Sequence, residues 1–414
     1  MQELKVKFEK IISETPYSKL HVEQQIFLKE MFMKYAFSHQ EFKQIIEMSC
    51  DFNMWNEVDI NQIWKNFQNK KDVLRHIRSI HENLKSNPSY GNFESNSYSS
   101  DRKFTFIANE KKSISLGTCP VASPNTRCCN LLTLDVVESC GFDCSYCSIQ
   151  SFYNENRIGI DVNLAKKLKE LKLSRDIFYH IGTGQSSDSL MWGNKDGILD
   201  ALFDFAREYP NVILEFKTKS SNISYFLEND VPKNILCTWS LNTPTIIKNE
   251  EHLSASLDDR LKSARALANK GVLVGFHFHP IVKYSGYLSE YADVYKKLTS
   301  MFRASEVVLV SLGTLTFIKP VIKKLRERNF KSKILQMPFV NANGKLSYPL
   351  GIKKEMFKHA YDNLKEWHNE VFFYMCMEDE SLWLDVFGYE YKSNNQMEEM
   401  MKNSYMNKIK ISST

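Results

Sequence analysis

The 414 residues are 43% hydrophobic and 25% charged, and the formal net charge is +5. This is the composition of a globular chain with material for a large core and a smaller attached domain; the mild basic excess permits contact with a polyanion without arguing for it. An odd count of nine cysteines excludes a simple disulfide framework. No run approaches the ~18 apolar residues of a membrane span, and MQELKVKFEKIISETPYSKL lacks the apolar core of a signal peptide. The expected setting is therefore a reducing cytoplasm, where clustered thiols serve metal or redox chemistry.

Residues 1–88 read as a helical region, because LKVKFEKIISE, HVEQQIFLKEMFMKYAF, SHQEFKQIIEMSC and DVLRHIRSIHENLK repeat apolar residues at spacings of three and four. Residues 89–114 follow as a linker, centred on the aperiodic SNPSYGNFESNSYSSDRK.

From residue 115 to 330 a βα theme appears six times. Strands are expected at Leu132–Val137, Ile177–Ile181, Val212–Phe216, Ile235–Leu241, Val272–Phe278 and Val307–Leu312. Helices are expected at Leu164–Leu171, Ile198–Tyr209, Ser221–Leu227, Leu257–Lys270, Leu288–Phe302 and Phe317–Arg328. Near-continuously apolar strands alternating with helices predict a parallel sheet under a helical layer. Six units predict an α/β fold of partial (βα)6 TIM type. Residues 331–414 add a small α+β extension with a strand-like EVFFYMCM. Chemistry in such barrels gathers at the C-terminal ends of the strands. The expected strands here end in the cysteine cluster, GTGQSSDS, KTKSS, WSLNT, HFHP and SLGT.

The cluster is CGFDCSYC, with Cys140, Cys144 and Cys147 spaced C-x3-C-x2-C. Thiolates this close hold zinc or an iron–sulfur cluster. Zinc stays open on spacing alone, since Cys119, Cys128 and Cys129 offer a second set. Position just after a strand favours a catalytic cluster, because three thiolates leave one of four irons open.

C-x3-C-x2-C with an aromatic before the last cysteine, opening a partial barrel, resembles the radical SAM superfamily. The resemblance implies a [4Fe-4S] cluster on Cys140, Cys144 and Cys147, with the open iron binding S-adenosylmethionine (SAM). One-electron reduction, from a flavodoxin or ferredoxin, then yields methionine and a 5′-deoxyadenosyl radical. A narrower resemblance spans roughly residues 115–385. CCNLLTLDVVESCGFDCSYCSIQSFY, IGTGQSSDSL, LEFKTKSSNI, WSLN, SLDDRLKSARALANKGVLVGFHFHPIVKYSGY, LGTLTFIKPVIKKL and YMCMEDESLWLDVFG are similar in order and spacing to the spore photoproduct lyase family. That family reverses a thymine lesion in spore DNA. The likeness implies that Tyr146, Gly182, Thr183, Gly184, Ser187, Asp188, Lys219, Ser240 and Asn242 lie on the SAM side. It also implies DNA contacts through the basic stretch 319–333 and a hairpin at 337–348 turning at Asn343-Gly344. The rival for 319–333 is a solvated outer helix.

His277 and His279 alternate onto one strand face, either lining the substrate space or filling the barrel as hydrogen-bonded core. The chain departs from the family at two points. The second-strand loop lacks the cysteine that returns hydrogen to substrate, and Ser148 stands where the family has tyrosine. Cys237 and Tyr284 are the substitute donors considered. Two further readings remain: the same core acting on a nucleotide or peptide, or a non-catalytic nucleic-acid binder with a structural metal site.

Overall fold

The computed structural model describes residues 2–95, 103–109, 116–118, 125–148, 156–328, 330–342 and 344–411. These fall into two compact units, one of residues 1–97, 283–285 and 316–348, the other of 98–282, 286–315 and 349–414.

The second unit holds an open, curled parallel sheet. Its strands are β1 (Leu132–Thr133), β2 (Tyr179–Gly182), β3 (Val212–Thr218), β4 (Ile235–Ser240), β5 (Leu273–Ile281), β6 (Val307–Thr314) and β7 (Phe372–Met375), and they lie side by side in chain order. Gly117–Thr118 pairs antiparallel with β1 at the edge. The expected partial barrel is present, with a seventh parallel strand. EVFFYMCM contributes β7, which pairs Leu309–Leu312 of β6 with Phe372–Met375.

Alternation sorts the side chains. Phe216 packs on Phe203 and Phe226, Phe276 on Phe302, and Phe278 on Tyr295, all beneath the surrounding helices. The residues between them point into the barrel. There Glu215 accepts from His180 Nε2, His277 Nε2 and Thr238 Oγ1, each at 2.7 Å. Ser311 lies 2.5 Å from His277 Nδ1. With Nε2 donating to Glu215, Nδ1 of neutral His277 accepts the Ser311 proton. His277 is thus core, satisfied by protein, and the substrate-lining alternative does not hold for it. From the helix Asn394–Ile411, Tyr405 sets its ring 5.4 Å from His180.

This network makes the second unit acid-sensitive. Burial, and next Lys217, push His277 down to about 4, against an opposing pull from Glu215. The unfolded chain therefore binds a proton near pH 6.5 that the folded state refuses until about pH 4. Stability is full above pH 6.5 and falls by about 3 kcal/mol as pH drops through that window. Glu215 is held well below its ordinary value, burial being outweighed by the two histidines, and extends the loss below its unfolded value. Urea melts between pH 7.5 and 4 should show the decline, and His277→Gln should flatten it. An equal slope in the variant would remove His277 from the account.

Three elements differ from the sequence reading. Thr105–Asn109, within the expected linker, is a strand paired in parallel with Arg157–Asp161. It is almost wholly exposed, so no alternation of apolar residues marked it. The helix Lys319–Glu327, expected on the barrel, belongs to the first unit. Its apolar face, Val321, Ile322 and Leu325, is legible in sequence, but nothing local says what that face covers. Within the first unit its Arg326 grips Asp51 of the helix His39–Trp55 through two bonds of 2.8 Å. Third, residues 316–348 join the N-terminal helices rather than dividing between barrel and extension.

The expected hairpin is present as Val340–Ala342 and Lys345–Ser347, antiparallel, with Gly344 at φ +81°. A turn with positive φ is what glycine permits. Asn343 lies outside the described residues, as does Cys119.

Candidate metal centre

Cys140, Cys144 and Cys147 sit on the loop that follows β1, beside the rim formed by the ends of β2 and β3. Asp143–Cys144 is pinned by an antiparallel pairing with Glu251–His252. Ser145 N donates to Glu250 O at 2.8 Å, and Cys147 N to Cys144 O at 3.0 Å. Gly141 is closely approached by side chains. A Cβ there would stand 2.1 Å from Met191 Cε and 2.8 Å from the Trp192 ring.

Cys140 and Cys144 are buried and Cys147 is half-buried. Burial, then Asp188 and Cys147, push Cys140 up to about 12. Burial also raises Cys144 well above the ordinary thiol value, against the pull of Lys219. Without metal, Cys140 and Cys144 are protonated thiols in a nearly dry part of the loop. Among the described residues no three His, Cys, Asp or Glu side chains converge as a single chelated ion requires. Thiolates that each hold a separate iron of a cluster need not converge on one point, so the donor set suits a cluster better than zinc.

Beside the loop lies a charge cluster that sequence reasoning missed. Glu251 is 1% exposed and pairs with the fully buried Arg260 at 2.7 Å. It accepts from Tyr146 Oη and, at 3.3 Å, from Asn242 Nδ2. Arg260 also donates to Ser240 O and Ala255 O, each at 2.9 Å, and to Ser254 Oγ at 2.6 Å. Lys219 places Nζ 5.6 Å from the Tyr146 ring centroid, a cation–π approach. Burial would lower Lys219, but Glu251 and Cys144 more than offset it and hold the ammonium charged. Burial would likewise raise Glu251, yet Arg260 and Lys219 keep it ionised. The only signal in the sequence was a pair of acids after an apolar helix, which normally reads as solvated.

The SAM-side residues named from sequence divide into two groups. Tyr146, Lys219, Ser240 and Asn242 come together around Glu251 and Arg260. Asn242 is itself fixed by Tyr291 Oη at 2.6 Å. Gly182, Thr183, Gly184, Ser187 and Asp188 shape the neighbouring loop. The Asp188 carboxylate is held by its own chain. It accepts from Leu190 N, Met191 N, Thr218 Oγ1 and Lys219 N at 2.7–3.0 Å. Asp188 thus positions Lys219, with three of its four bonds on Oδ1 and one on Oδ2. Thr183 Oγ1 is likewise spent on Ser189 Oγ and Glu215 O, and Ser187 Oγ accepts from Trp192 at 3.3 Å.

Of the two substitute donors, Cys237 does not face the barrel interior. Cys237 is fully buried on β4 and alternates with Thr238, whose hydroxyl faces Glu215 inside the barrel, so Cys237 faces the helices. Tyr284 belongs to the first unit, edge-on to Tyr90 at 5.5 Å. His279 is the lumen residue above His277, part-exposed, and held neutral down to about 3 by burial and by Lys217, His277, Lys219 and Lys353.

The sequence profile described as spore photoproduct lyase matches residues 57–377. A spore photoproduct lyase of Clostridium acetobutylicum is 27% identical over 211 residues, 50% of this chain and 60% of that protein. One from a Geobacillus species is 27% identical over 128 residues, 29% of this chain and 36% of the relative. The chain thus spans less than two thirds of the length of these curated relatives. A solved spore photoproduct lyase complexed with dinucleoside spore photoproduct superposes with a TM-score of 0.56 at 18% identity, covering 71% of this chain and 84% of that one. A mutant of the lyase with bound AdoMet and the same dinucleoside gives 0.53 at 16% identity, over 73% and 94%. At such identities the superpositions establish a shared fold. The profile match takes in the cysteine loop and all seven parallel strands, and the chain belongs to the spore photoproduct lyase family.

Proposed function

We propose that the protein is a radical SAM lyase acting on a thymine photoproduct of DNA. The observation that carries this reading is the set of three cysteines on one rim loop, two buried and one half-buried, side by side with the Tyr146–Lys219–Glu251–Arg260 cluster. Cys140, Cys144 and Cys147 would hold a [4Fe-4S] cluster and leave one iron for SAM, whose reductive cleavage supplies a 5′-deoxyadenosyl radical.

The protein's own part is positioning and charge. Lys219 is a half-buried ammonium beside Cys144, suited to a carboxylate of the cofactor. Glu251 neutralises what Lys219 and Arg260 together would otherwise leave as one half-buried and one buried cation. Tyr146 offers a ring face next to the last ligand, and Asn242 and Asp188 keep these groups from rotating away. Metal uptake must remove protons from thiols that burial holds protonated, so cluster assembly should be favoured by rising pH.

The DNA contact proposed from sequence has exposed residues to offer in the first unit, namely Lys319, Lys323 and Lys324. Arg326 and Lys333 are committed to Asp51 and Glu57 and are not available to phosphates. The one-electron donor proposed is a flavodoxin or ferredoxin.

The test is anaerobic reconstitution with iron and sulfide, then dithionite and SAM, with and without dinucleoside spore photoproduct. The expected result is 5′-deoxyadenosine in both cases and dithymidine product in the second. Iron-loaded protein that makes neither would overturn the reading. Formation of 5′-deoxyadenosine without repair would keep the radical centre and discard the photoproduct.

A further inference from the structure

Three thiols outside the cluster loop are brought together by the fold. Thr126 and Asp379 form an antiparallel bridge. Around it Arg127 N donates to Glu378 O at 3.3 Å and Glu380 N to Asn125 O at 2.8 Å, with an Arg127–Glu380 ion pair at 2.5 Å. Cys129, next to Cys128 in the chain, lies within electrostatic reach of Cys376. None of the three is in a disulfide.

Cys376 faces the lumen. Tyr374, two residues earlier, is the register partner of Ser311, which bonds His277 inside the barrel. Period-two alternation puts Cys376 on the same face. Cys376 N donates to Leu312 O at 2.8 Å, which carries the strand pairing one step beyond Leu312–Met375 and sets Cys376 level with Gly313. Directly over Gly313 lies the His279 ring, 2.8–2.9 Å from where a Cβ would be. His279 in turn feels Lys217, Lys219 and Lys353, and Lys353 is held by Glu378 at 2.5 Å, two residues past Cys376. The half-buried Cys376 therefore stands at the C-terminal end of the last strand, on the rim that also carries Lys219 and the cluster loop.

We propose that Cys376 is the hydrogen-atom donor to the substrate radical, with Cys129 as a thiol reserve behind it. This rests on the radical reading above. A carbon radical left on substrate must take a hydrogen atom from a bond weaker than the one it forms. Thiol S–H meets that condition; the amide of Gln185 and the hydroxyls of Ser186 and Ser187 in the β2 loop do not. In the step, the Cys376 S–H bond breaks homolytically, the hydrogen forms a C–H bond on substrate, and a thiyl radical remains. Cys129 can pass its own hydrogen to that thiyl in a near-thermoneutral exchange, moving the radical off the substrate face. One electron from the same low-potential one-electron reductant, with one proton from solvent, restores the thiol.

The test uses reconstituted holoenzyme in D2O with dithionite, SAM and dinucleoside spore photoproduct as probe, because thiol hydrogens exchange with solvent and carbon-bound ones do not. Wild type and the Cys237→Ala control should give dithymidine product carrying one deuterium. Cys376→Ala and Cys376→Ser should still form 5′-deoxyadenosine, yet repaired product should fall at least about 10-fold and dead-end substrate products should rise. Iron content, measured on every variant, separates this from a folding or loading defect. Deuterated product at undiminished yield from both Cys376 variants overturns the assignment. Absent or undeuterated product from wild type overturns it too. In that case 5′-deoxyadenosine says how far the failure extends: if it forms, only substrate and donor fall, and if it does not, the radical reading falls with them.

Discussion

Arg260→Leu is expected to destabilise the barrel unit by about 3–5 kcal/mol, the usual cost of orphaning a buried charge. The argument lies in what the guanidinium leaves behind. Arg260 is fully buried and Glu251 is 1% exposed, so neither can recruit water in place of the other. Removal also strips the partners from Ser240 O, Ala255 O and Ser254 Oγ. Lys219 remains near Glu251 but cannot supply a guanidinium's fork of donors. The damage should spread to the metal loop, because Glu251 is the register partner of Cys144. Urea melts should show the loss, with reduced iron uptake on reconstitution. The double variant Arg260→Leu/Glu251→Leu should recover part of the stability, since an apolar pair strands no charge. A single-variant loss below about 1 kcal/mol would mean that Glu251 is neutral in the fold, contrary to the ion pair described here.

How much of this was legible in sequence depended on the range over which the signal acts. β3 to β6 were readable because strands covered on both faces are written as near-continuous apolar runs. The rim was readable because those runs end in small and polar residues. C-x3-C-x2-C was readable because its three cysteines lie on one loop. Glu251 was not, since it sits on a two-residue strand whose partner is over a hundred positions upstream. The lumen role of Glu215 had a local signal, an acid inside the apolar run VILEF, that only the two facing histidines explain. His277 and His279 were correctly paired on one face by alternation, but alternation cannot say whether the space opposite is filled by protein. For His277 it is filled by Glu215 and Ser311. Cys376 carried no signal at all within YMCM, because its neighbours Cys129 and Gly313 arrive from distant segments. The helix Lys319–Glu327 shows the same limit in reverse. Its amphipathic period was clear, and the unit it packs into was not.

Cys144→Ala is expected to leave the fold intact and abolish the chemistry. The substitution removes one buried sulfur, a loss on the order of 1 kcal/mol, while the backbone pairing of Asp143–Cys144 with Glu251–His252 needs no side chain. Its effect on metal is far larger. Loss of a group that merely supports a ligand costs about 10- to 100-fold in metal affinity or activity, and loss of the ligand itself costs more. Cys144 is the middle one of the three proposed ligands and the one that weighs most on Lys219. On the proposed reading, reconstituted Cys144→Ala should bind little iron, and 5′-deoxyadenosine should fall at least about 100-fold, with a melting curve close to wild type. Cys237→Ala, a buried sulfur on the helix-facing side of β4, should match the stability change without the loss of iron. If Cys144→Ala kept both its iron and its 5′-deoxyadenosine, the rim loop would not be the metal centre. If Cys237→Ala lost both as well, the defect would belong to the barrel rather than to the ligand.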